Sequence, residues 1–256
     1  MENLHKNIII TGGAGLLGFS VAKTLIQNNY NCLLADINEQ SLKKAHKDLS
    51  FLHKGKVEYC ICDITSSSEI DKLLEVSKNF FGGFHGAVHC AYPKPINWGK
   101  KFEDLSEIDL NQSLSMQLGS AIIFSQKIIE FFLKNRGGNL IHISSIQGIC
   151  PPKFEHYEGT DMYSPIEYSA IKAGVIAITT WLAKRYKNSN IRVNCISPGG
   201  ILDSQPLSFL EKYRASCSNI GMLDPKDVAS AVEFILNDSS RAINGQNLII
   251  DDGWSL

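Results

Sequence analysis

The chain has 256 residues, of which 44% are hydrophobic and 20% are charged, and its formal net charge is −1. These values describe an ordinary soluble globular chain that is long enough to bury a large core. Because 25 Lys and Arg residues are matched by 26 Asp and Glu residues, no surplus of positive charge would drive binding to nucleic acid or to an anionic membrane.

Short β-branched runs alternate with longer segments of helical period along the chain. Strands are predicted at 7–11, 31–36, 57–62, 85–90, 138–144, 190–196 and 247–250, and helices at 16–28, 39–50, 67–80, 106–135, 165–187 and 225–237. This alternation is typical of βαβ units, which right-handed crossovers join into a doubly wound, mainly parallel, seven-stranded sheet with helices on both faces. No linker or repeat divides residues 1–256, so the sequence predicts a single α/β domain.

The N-terminal segment and the cysteines bear on where the protein works. Residues 1–6 are polar and lead directly into the first strand, without the apolar stretch that a signal peptide or a membrane span of about 20 residues needs. We therefore expect a cytoplasmic protein without a membrane partner. Seven histidines show no metal-ligand spacing, so no metal site is expected. Reduced, buried thiols are predicted for the seven cysteines, none of which forms a CxxC pair: Cys32, Cys60, Cys62, Cys90, Cys150, Cys195 and Cys217.

A glycine-rich loop follows the first strand, where residues 11–18 read T-G-G-A-G-L-L-G. Glycine permits a tight turn and a close approach of the backbone to a pyrophosphate, and the free N–H groups of the next helix bind the anion. Tight turns also use glycine for other reasons. The loop therefore needs support from its context before it indicates a nucleotide.

Acidic residues follow the second and third strands. Asp36 lies about 20 residues after Gly15, the spacing of a carboxylate that bonds the adenosine ribose hydroxyls. A carboxylate there repels a 2′-phosphate, and no Lys or Arg stands at 37 or 38, which favours NAD(H) over NADP(H). Asp36 could instead cap the next helix beside Asn38. Asp63 is a candidate for contact with the adenine amino group or, alternatively, for a helix cap.

Candidate catalytic residues follow the fifth strand and lie on the helix after it. Tyr168 and Lys172 are four residues apart, so they share one helix face. An ammonium near a phenol stabilises the phenolate and is expected to lower a pKa that is otherwise about 10. The Ser145 hydroxyl, at the end of a neighbouring strand, can bond a substrate oxygen on which charge develops.

In combination, T-G-x-x-G-x-x-G, the acid after the second strand, S-S after the fifth, Y-x-x-x-K and S-P-G-G after the sixth resemble the short-chain dehydrogenase/reductase family over essentially the whole chain. The resemblance implies a Rossmann fold and reversible hydride transfer between nicotinamide and a carbinol carbon. It implies a catalytic triad of Ser145, Tyr168 and Lys172, with Tyr168 removing the hydroxyl proton on oxidation. The cofactor-binding residues that it implies are Gly12, Gly15, Leu17, Gly18, Asp36, Asp63, Ile64, Ala91, Tyr168, Lys172, Pro198, Gly199 and Ile201.

Three features depart from the family pattern. The spacing of glycines at 12, 15 and 18 is that of the extended epimerase branch, but the chain is too short for that branch's second domain. Tyr92 stands where the family has glycine, and it either meets the substrate or only closes the strand end. Gln117 falls at the position of the asparagine that supports a proton relay, so we expect it to be a catalytic position in which the relay is rearranged.

Residues 150–163 form an insertion that lengthens the interval between Ser145 and Tyr168. A long loop at a catalytic rim is more often functional than not. Lys153, His156 and Tyr157 are therefore candidates to grip a polar or phosphorylated substrate, although the loop could instead pack against a neighbouring subunit. Residues 202–222 resemble the substrate lid of the family.

The A-Y-P turn, the insertion and S-P-G-G-I-L-D together resemble the flagellin modification protein A subgroup of surface-glycan oxidoreductases. That resemblance implies a sugar, sugar phosphate or nucleotide sugar as substrate. The alternatives are a nucleotide-binding scaffold or sensor, or an epimerase that uses transient oxidation. The long helices at 106–135 and 165–187 imply, again by resemblance, a homodimer or homotetramer.

Overall fold

Seven parallel strands form the centre of the molecule. The computed structural model describes residues 6–256, so the predicted absence of a leader concerns residues that lie mostly outside that range. The strands are β1 (Asn7–Thr11), β2 (Asn31–Asp36), β3 (Val57–Ile61), β4 (Gly86–His89), β5 (Gly138–Ile143), β6 (Ile191–Pro198) and β7 (Asn247–Ile250). Their order in the sheet is β3-β2-β1-β4-β5-β6-β7, and each pair of neighbours is parallel. The predicted doubly wound Rossmann sheet is confirmed.

Helices cover both faces of this sheet. They are α1 (Leu16–Gln27), α2 (Glu39–Ser50), α3 (Ser67–Phe81), α4 (Glu107–Ser113), α5 (Ser120–Lys134), α6 (Ile166–Arg185), α7 (Leu207–Ala215) and α8 (Pro225–Leu236). Side chains alternate between the two faces of each strand. Ile8 and Ile10 therefore pack with α1, α2 and α8 in one core, whereas Ile9 packs with α3 and α5 in the other.

Two helical segments differ from the sequence prediction. The helix predicted over 106–135 contains a π-helical stretch at Leu114–Gly119, between α4 and α5. The lid predicted over 202–222 contains a regular helix, α7. A π-helical stretch adds a residue to a turn and is frequent at functional sites, and this one carries the buried side chain of Gln117.

Because the strands are parallel, the carboxyl ends of all seven lie at one edge of the sheet. The glycine loop follows β1, Asp36 ends β2, and Ser145 lies just beyond β5. Ligands of doubly wound sheets bind outside the carboxyl ends of the strands, near the point where the strand order reverses. That point lies here between β1 and β4.

Candidate functional site

Two adjoining cavities open at the carboxyl edge of the sheet. The first has a volume of about 520 Å³, and the predicted cofactor residues in its wall are Gly12, Gly15, Leu17, Gly18, Asp36, Asp63, Ile64 and Ala91. The second has a volume of about 330 Å³, and the predicted site residues in its wall are Tyr92, Ser145, His156, Tyr157, Tyr168, Lys172, Pro198, Gly199 and Ile201. Cys90 and Tyr92 line both cavities, which therefore meet beside the catalytic candidates.

The glycine loop is shaped by two glycines that no other residue could replace without movement. Gly12 has a φ of +63°, and a Cβ built on it would lie 3.0 Å from Ala91 Cα. A Cβ on Gly18 would lie 2.1 Å from the Gly12 carbonyl oxygen. These two glycines let the loop turn tightly over the N-terminus of α1, which has no side-chain cap. The free N–H groups and positive end of α1 suit the pyrophosphate of a dinucleotide.

Asp36 braces this loop and is not a helix cap. One carboxylate oxygen accepts a hydrogen bond from the Ala14 N–H at 3.2 Å, and the other accepts one from the Asn38 N–H at 3.2 Å. The cap of α2 is Asn38, whose side chain accepts from the Ser41 N–H. The alternative reading of Asp36 as a cap is therefore wrong, and its carboxylate lies in the wall of the first cavity.

Asp63 precedes α3 without capping it. Its carboxylate accepts hydrogen bonds from the backbone N–H of Thr65 at 2.9 Å and from the Thr65 hydroxyl at 2.7 Å. The cap of α3 is Ser66, which accepts from the Glu69 N–H. Asp63 thus forms a turn just before the helix, in the wall of the first cavity.

Ser145, Tyr168 and Lys172 are brought together by close packing of the turn after β5 on α6. A Cβ on Gly148 would lie 2.7 Å from the carbonyl carbon of Lys172, so glycine is needed where this turn meets the helix. The Ser144 hydroxyl donates to the Lys172 carbonyl at 2.7 Å, and Lys172 Nζ donates to the Ile143 carbonyl at 3.1 Å. These bonds fix the face of α6 that carries Tyr168 and Lys172 against the end of β5.

Burial sets the protonation of the catalytic candidates. It raises the pKa of Tyr168, and a side-chain hydrogen bond with Ser145 lowers that pKa by less. Burial also lowers the pKa of Lys172 to about 8. The expectation that the pKa of the Tyr168 phenol lies below its usual value is therefore wrong in direction. Burial destabilises the phenolate by more than the hydrogen bond with Ser145 stabilises it.

Tyr92 lies beside both Tyr168 and Lys172. Its ring centroid lies 5.7 Å from that of Tyr168, at nearly a right angle. The Lys172 Nζ lies 5.3 Å from the Tyr92 centroid and 5.5 Å from the Tyr168 centroid. The lysine ammonium is therefore close to two aromatic rings, within the distance range of cation–π contacts. Trp98 packs edge-on against Tyr92 from the outside.

Gln117 is 5% exposed and lines neither cavity. Its side chain lies near the hydroxyl of Tyr92, but neither amide atom makes a hydrogen bond of normal geometry with any residue in 6–256. Glu167, just before Tyr168, is also buried, and its Oε2 has no partner in the described chain. The part of Gln117 in a proton relay stays a prediction.

The insertion at 150–163 packs on the lid of its own chain. His156 is 3% exposed, its Nε2 lies 3.0 Å from the Ser216 hydroxyl, and burial lowers its pKa. Lys212 of α7 donates to the carbonyls of Glu155 and Glu158 at 2.9 and 3.0 Å. The Lys153 Nζ lies 4.7 Å from the Trp254 ring. His156 thus contributes to the wall of the second cavity, whereas Lys153 lies over Trp254 and lines neither cavity.

Sequence reasoning missed most of the wall of the second cavity. Aromatic rings from the lid and the C-terminus enclose it, and the Tyr213 hydroxyl accepts a hydrogen bond from the Gly200 N–H at 2.6 Å. Two amides, from Gln147 and Gln205, also line it. Gln147 lies in the turn after Ser145, and most of the others lie in the segments 150–163 and 202–222, which the sequence marked as rim and lid without singling out these side chains. The missed wall residues include Gln147, Met162, Gln205, Phe209, Tyr213, Met222 and Trp254.

Within residues 6–256, no group of three or more His, Cys, Asp or Glu side chains is arranged to hold a metal ion. All seven cysteines are free. None of the helices in the described range is long and apolar enough to cross a membrane.

A cleft suited to a nucleotide adjoins Ser145, Tyr168 and Lys172 at one edge of a parallel sheet. This arrangement defines a class of oxidoreductase. A family model described as enoyl-(acyl carrier protein) reductase matches residues 13–255. The chain belongs to the short-chain dehydrogenase/reductase family and is an oxidoreductase of that family.

Among its relatives is the post-translational flagellin modification protein A of Campylobacter coli, which is 40% identical over 98% of this chain and 99% of that protein. A 3-oxoacyl-[acyl-carrier-protein] reductase of Chlamydia muridarum is 28% identical over 98% of each chain. A solved short-chain dehydrogenase of Leptospira borgpetersenii with bound NAD⁺ has a TM-score of 0.85 and 27% identity, and the match covers 98% of this chain and 93% of that one.

Proposed function

We propose that this enzyme transfers a hydride between NAD(H) and a carbinol or keto carbon of a sugar, sugar phosphate or nucleotide sugar in flagellin or surface-glycan biosynthesis. The observation that carries the proposal is the position of Ser145, Tyr168 and Lys172 where the glycine-loop cleft meets a second, largely aromatic cavity. A bound nicotinamide would supply the hydride acceptor or donor. The chain then has to orient the substrate and move one proton.

Tyr168 is the residue that we assign to the proton. Because burial raises its pKa, the phenol is protonated near neutral pH and suits donation to a carbonyl oxygen during reduction. During oxidation Tyr168 must accept the hydroxyl proton, and the nearby Lys172 ammonium favours the phenolate that precedes this step. Ser145 would bond the substrate oxygen as charge develops on it.

The first cavity supports NAD(H) rather than NADP(H). The Asp36 carboxylate lines it at the end of β2, where it would bond ribose hydroxyls and repel a 2′-phosphate. The neighbouring side chains, Ile37 and Asn38, carry no positive charge. Gly12 and Gly18 permit the tight turn of the loop over the N-terminus of α1, where a pyrophosphate would bind. The NAD⁺ in the Leptospira relative agrees with this choice.

The second cavity supports a sugar-type substrate. Its wall combines aromatic rings with the amides of Gln147 and Gln205, and such a wall can pack on a sugar ring while bonding its hydroxyls. The Campylobacter relative is a flagellin modification protein, which points to a glycan. Tyr92 and Tyr157 are the wall residues that we expect to touch the substrate.

Free thiols and surface composition support two further proposals. Seven free cysteines are typical of a reducing compartment, so we place the enzyme in the cytoplasm. Ile122 and Ile123 of α5 and Trp181 of α6 are exposed, and burial of these side chains between copies would stabilise a homodimer or homotetramer. Light scattering on the purified protein measures that state.

The test is turnover of candidate sugars by the purified protein, followed by NADH absorbance. Tyr168→Phe should lower kcat by at least about a hundredfold, as loss of a proton-transfer group usually does. The matched control is Tyr163→Phe, which removes a hydroxyl that only accepts from the Phe102 N–H and should leave kcat unchanged. Full turnover by Tyr168→Phe would refute the mechanism.

Two other outcomes would favour the alternative functions. NAD⁺ binding with no turnover of any sugar in the panel would favour a nucleotide-binding scaffold or sensor. Interconversion of two sugars with tightly retained NAD⁺ and no net change in absorbance would favour an epimerase.

A further inference from the structure

A third cavity, lined by charged residues, lies at the opposite edge of the sheet, at the amino ends of the strands. Its volume is about 610 Å³, within the range of small-molecule sites. We call it the basic groove, and the charged residues that line it are Lys6, Arg136, Lys187, Arg192, Arg241 and Asp238. Five cations therefore surround a cavity with one carboxylate, in a chain whose total charge is close to zero.

The single carboxylate is already neutralised. Asp238 pairs with Lys6 at 2.5 Å. Arg192 forms part of the floor, where its guanidinium donates to the carbonyls of Ile235, Ser240 and Ile243 at 2.7 to 3.1 Å. Carbonyl partners satisfy its N–H groups without cancelling its charge.

Three cations in the wall have no anionic partner in the described chain. Arg136, Lys187 and Arg241 are exposed side chains that form no ion pair with any residue in 6–256. Arg136 also has a φ of +69°, and its carbonyl accepts a hydrogen bond from the Asn190 side chain at 2.7 Å. This bond and the left-handed backbone fix the turn that carries Arg136.

The neutral polar residues of the wall also present donors. His85 Nδ1 accepts from the Asn7 N–H at 3.0 Å, so the neutral ring carries its hydrogen on Nε2. Asn244 Oδ1 accepts from the Val193 N–H at 2.9 Å, which leaves the amide NH₂ to donate. Asn139 also lines the groove, and its Oδ1, an acceptor, is buried and lacks a partner in the described range.

We propose that the basic groove binds a small molecule that carries a phosphate or pyrophosphate group, at a site separate from the two cavities of the carboxyl edge. Phosphate oxygens accept several hydrogen bonds at once, and both guanidinium and ammonium groups bind them. The N–H donors of His85 and Asn244 would orient the phosphate group by hydrogen bonds, and Arg136, Lys187 and Arg241 would attract it by their charge.

The experiment titrates the full chain, with one equivalent of NADH present, with inorganic pyrophosphate and separately with AMP, by calorimetry at low ionic strength. The double variant Arg136→Gln with Lys187→Gln should raise the dissociation constant at least about tenfold, which corresponds to about 1.4 kcal/mol. The matched control is Lys184→Gln with Arg185→Gln, which removes the same charge from residues of α6 that do not line the groove.

Amide NMR signals locate the binding. Shifts at Gly137 and Gly138 that the groove variant abolishes and the control variant keeps would support the proposal. Tighter binding of AMP than of pyrophosphate would identify a nucleotide as the ligand, and the reverse would identify the phosphate group alone. Equal affinity of the groove variant and the unmodified protein, equal losses in both double variants, or shifts confined to Gly12 and Gly15 would each overturn it.

Discussion

Gly18→Ala tests whether the approach of α1 to the glycine loop positions the cofactor. The new Cβ would lie 2.1 Å from the Gly12 carbonyl oxygen and 2.8 Å from its carbonyl carbon, whereas ordinary contact begins at 3.4 Å. The loop would therefore have to move by about 1 Å, and overpacking of this kind costs about 1–3 kcal/mol. The space beside Gly12 is also restricted, because a Cβ built on Gly12 would lie 3.0 Å from the Ala91 backbone.

Two measurements separate packing from positioning. For a chain of this size each kcal/mol lowers Tm by about 2–4 °C, so we expect a loss of about 2–12 °C by differential scanning fluorimetry. Since the moved N–H groups are those that would hold the pyrophosphate, NADH fluorescence titration should show a dissociation constant raised at least about tenfold, equivalent to about 1.4 kcal/mol.

Gly119→Ala is the control for the same chemical change. Gly119 has helical dihedral angles, and the nearest atom to a new Cβ would be the Leu114 carbonyl oxygen at 3.6 Å. Alanine there should stabilise the fold by about 0.5–1 kcal/mol and leave NADH affinity unchanged. If Gly18→Ala keeps both Tm and affinity, the reasoning about the loop fails. If Tm falls but NADH affinity is unchanged, the packing argument is supported and the argument that the loop positions the pyrophosphate is contradicted.

Two further predictions concern carboxylates. Asp36→Ala should weaken NAD⁺ binding about tenfold and reduce the preference for NAD⁺ over NADP⁺. Calorimetry with both cofactors measures this, and the control is Asp48→Ala, which removes an exposed carboxylate. An unchanged preference for NAD⁺ would contradict the role of Asp36. Hydrogen bonds from Lys100, Ser106 and Asn97 hold the pKa of Asp109 well below its usual range. Because the folded-state pKa is lowered, the stabilisation is present above the unfolded pKa of about 4 and disappears as the pH falls further. The difference in Tm between the unmodified protein and Asp109→Asn should therefore be constant from pH 6 to about pH 5 and shrink below about pH 4; a constant difference at all pH values would contradict it.

The strands and the loops at their carboxyl ends could be predicted because their signals are local. Runs such as 7–11 and 31–36 are apolar and β-branched, and the roles of the glycine loop, Ser145, Tyr168 and Lys172 are implied by the combination of motifs that resembles the family. The four-residue interval between Tyr168 and Lys172 places both on one face wherever a helix forms. The structure brings these residues to the cavities that the order of strands leads one to expect.

The remaining features depend on contacts between distant parts of the chain. The hydrophobic period of 106–135 does not reveal the π-helical stretch at Leu114–Gly119, because one added residue in a single turn is too short a change to be told from ordinary irregularity in the apolar pattern. The net rise in the pKa of Tyr168 depends on how completely other segments enclose it. The contact between His156 and Ser216 joins residues 60 positions apart, and no local pattern indicates it.

The floor and the roof of the second cavity come from separate parts of the chain. Ser145, Tyr168 and Lys172 come from the turn after β5 and from α6, whereas the roof comes from the insertion at 150–163, from α7 and from Trp254. The roof segments hold one another through His156, Ser216 and Lys212. Exchange of these roof segments between members of the family could therefore change the compound that the cavity accepts while leaving Ser145, Tyr168 and Lys172 in place, which gives protein engineers a defined unit to transplant.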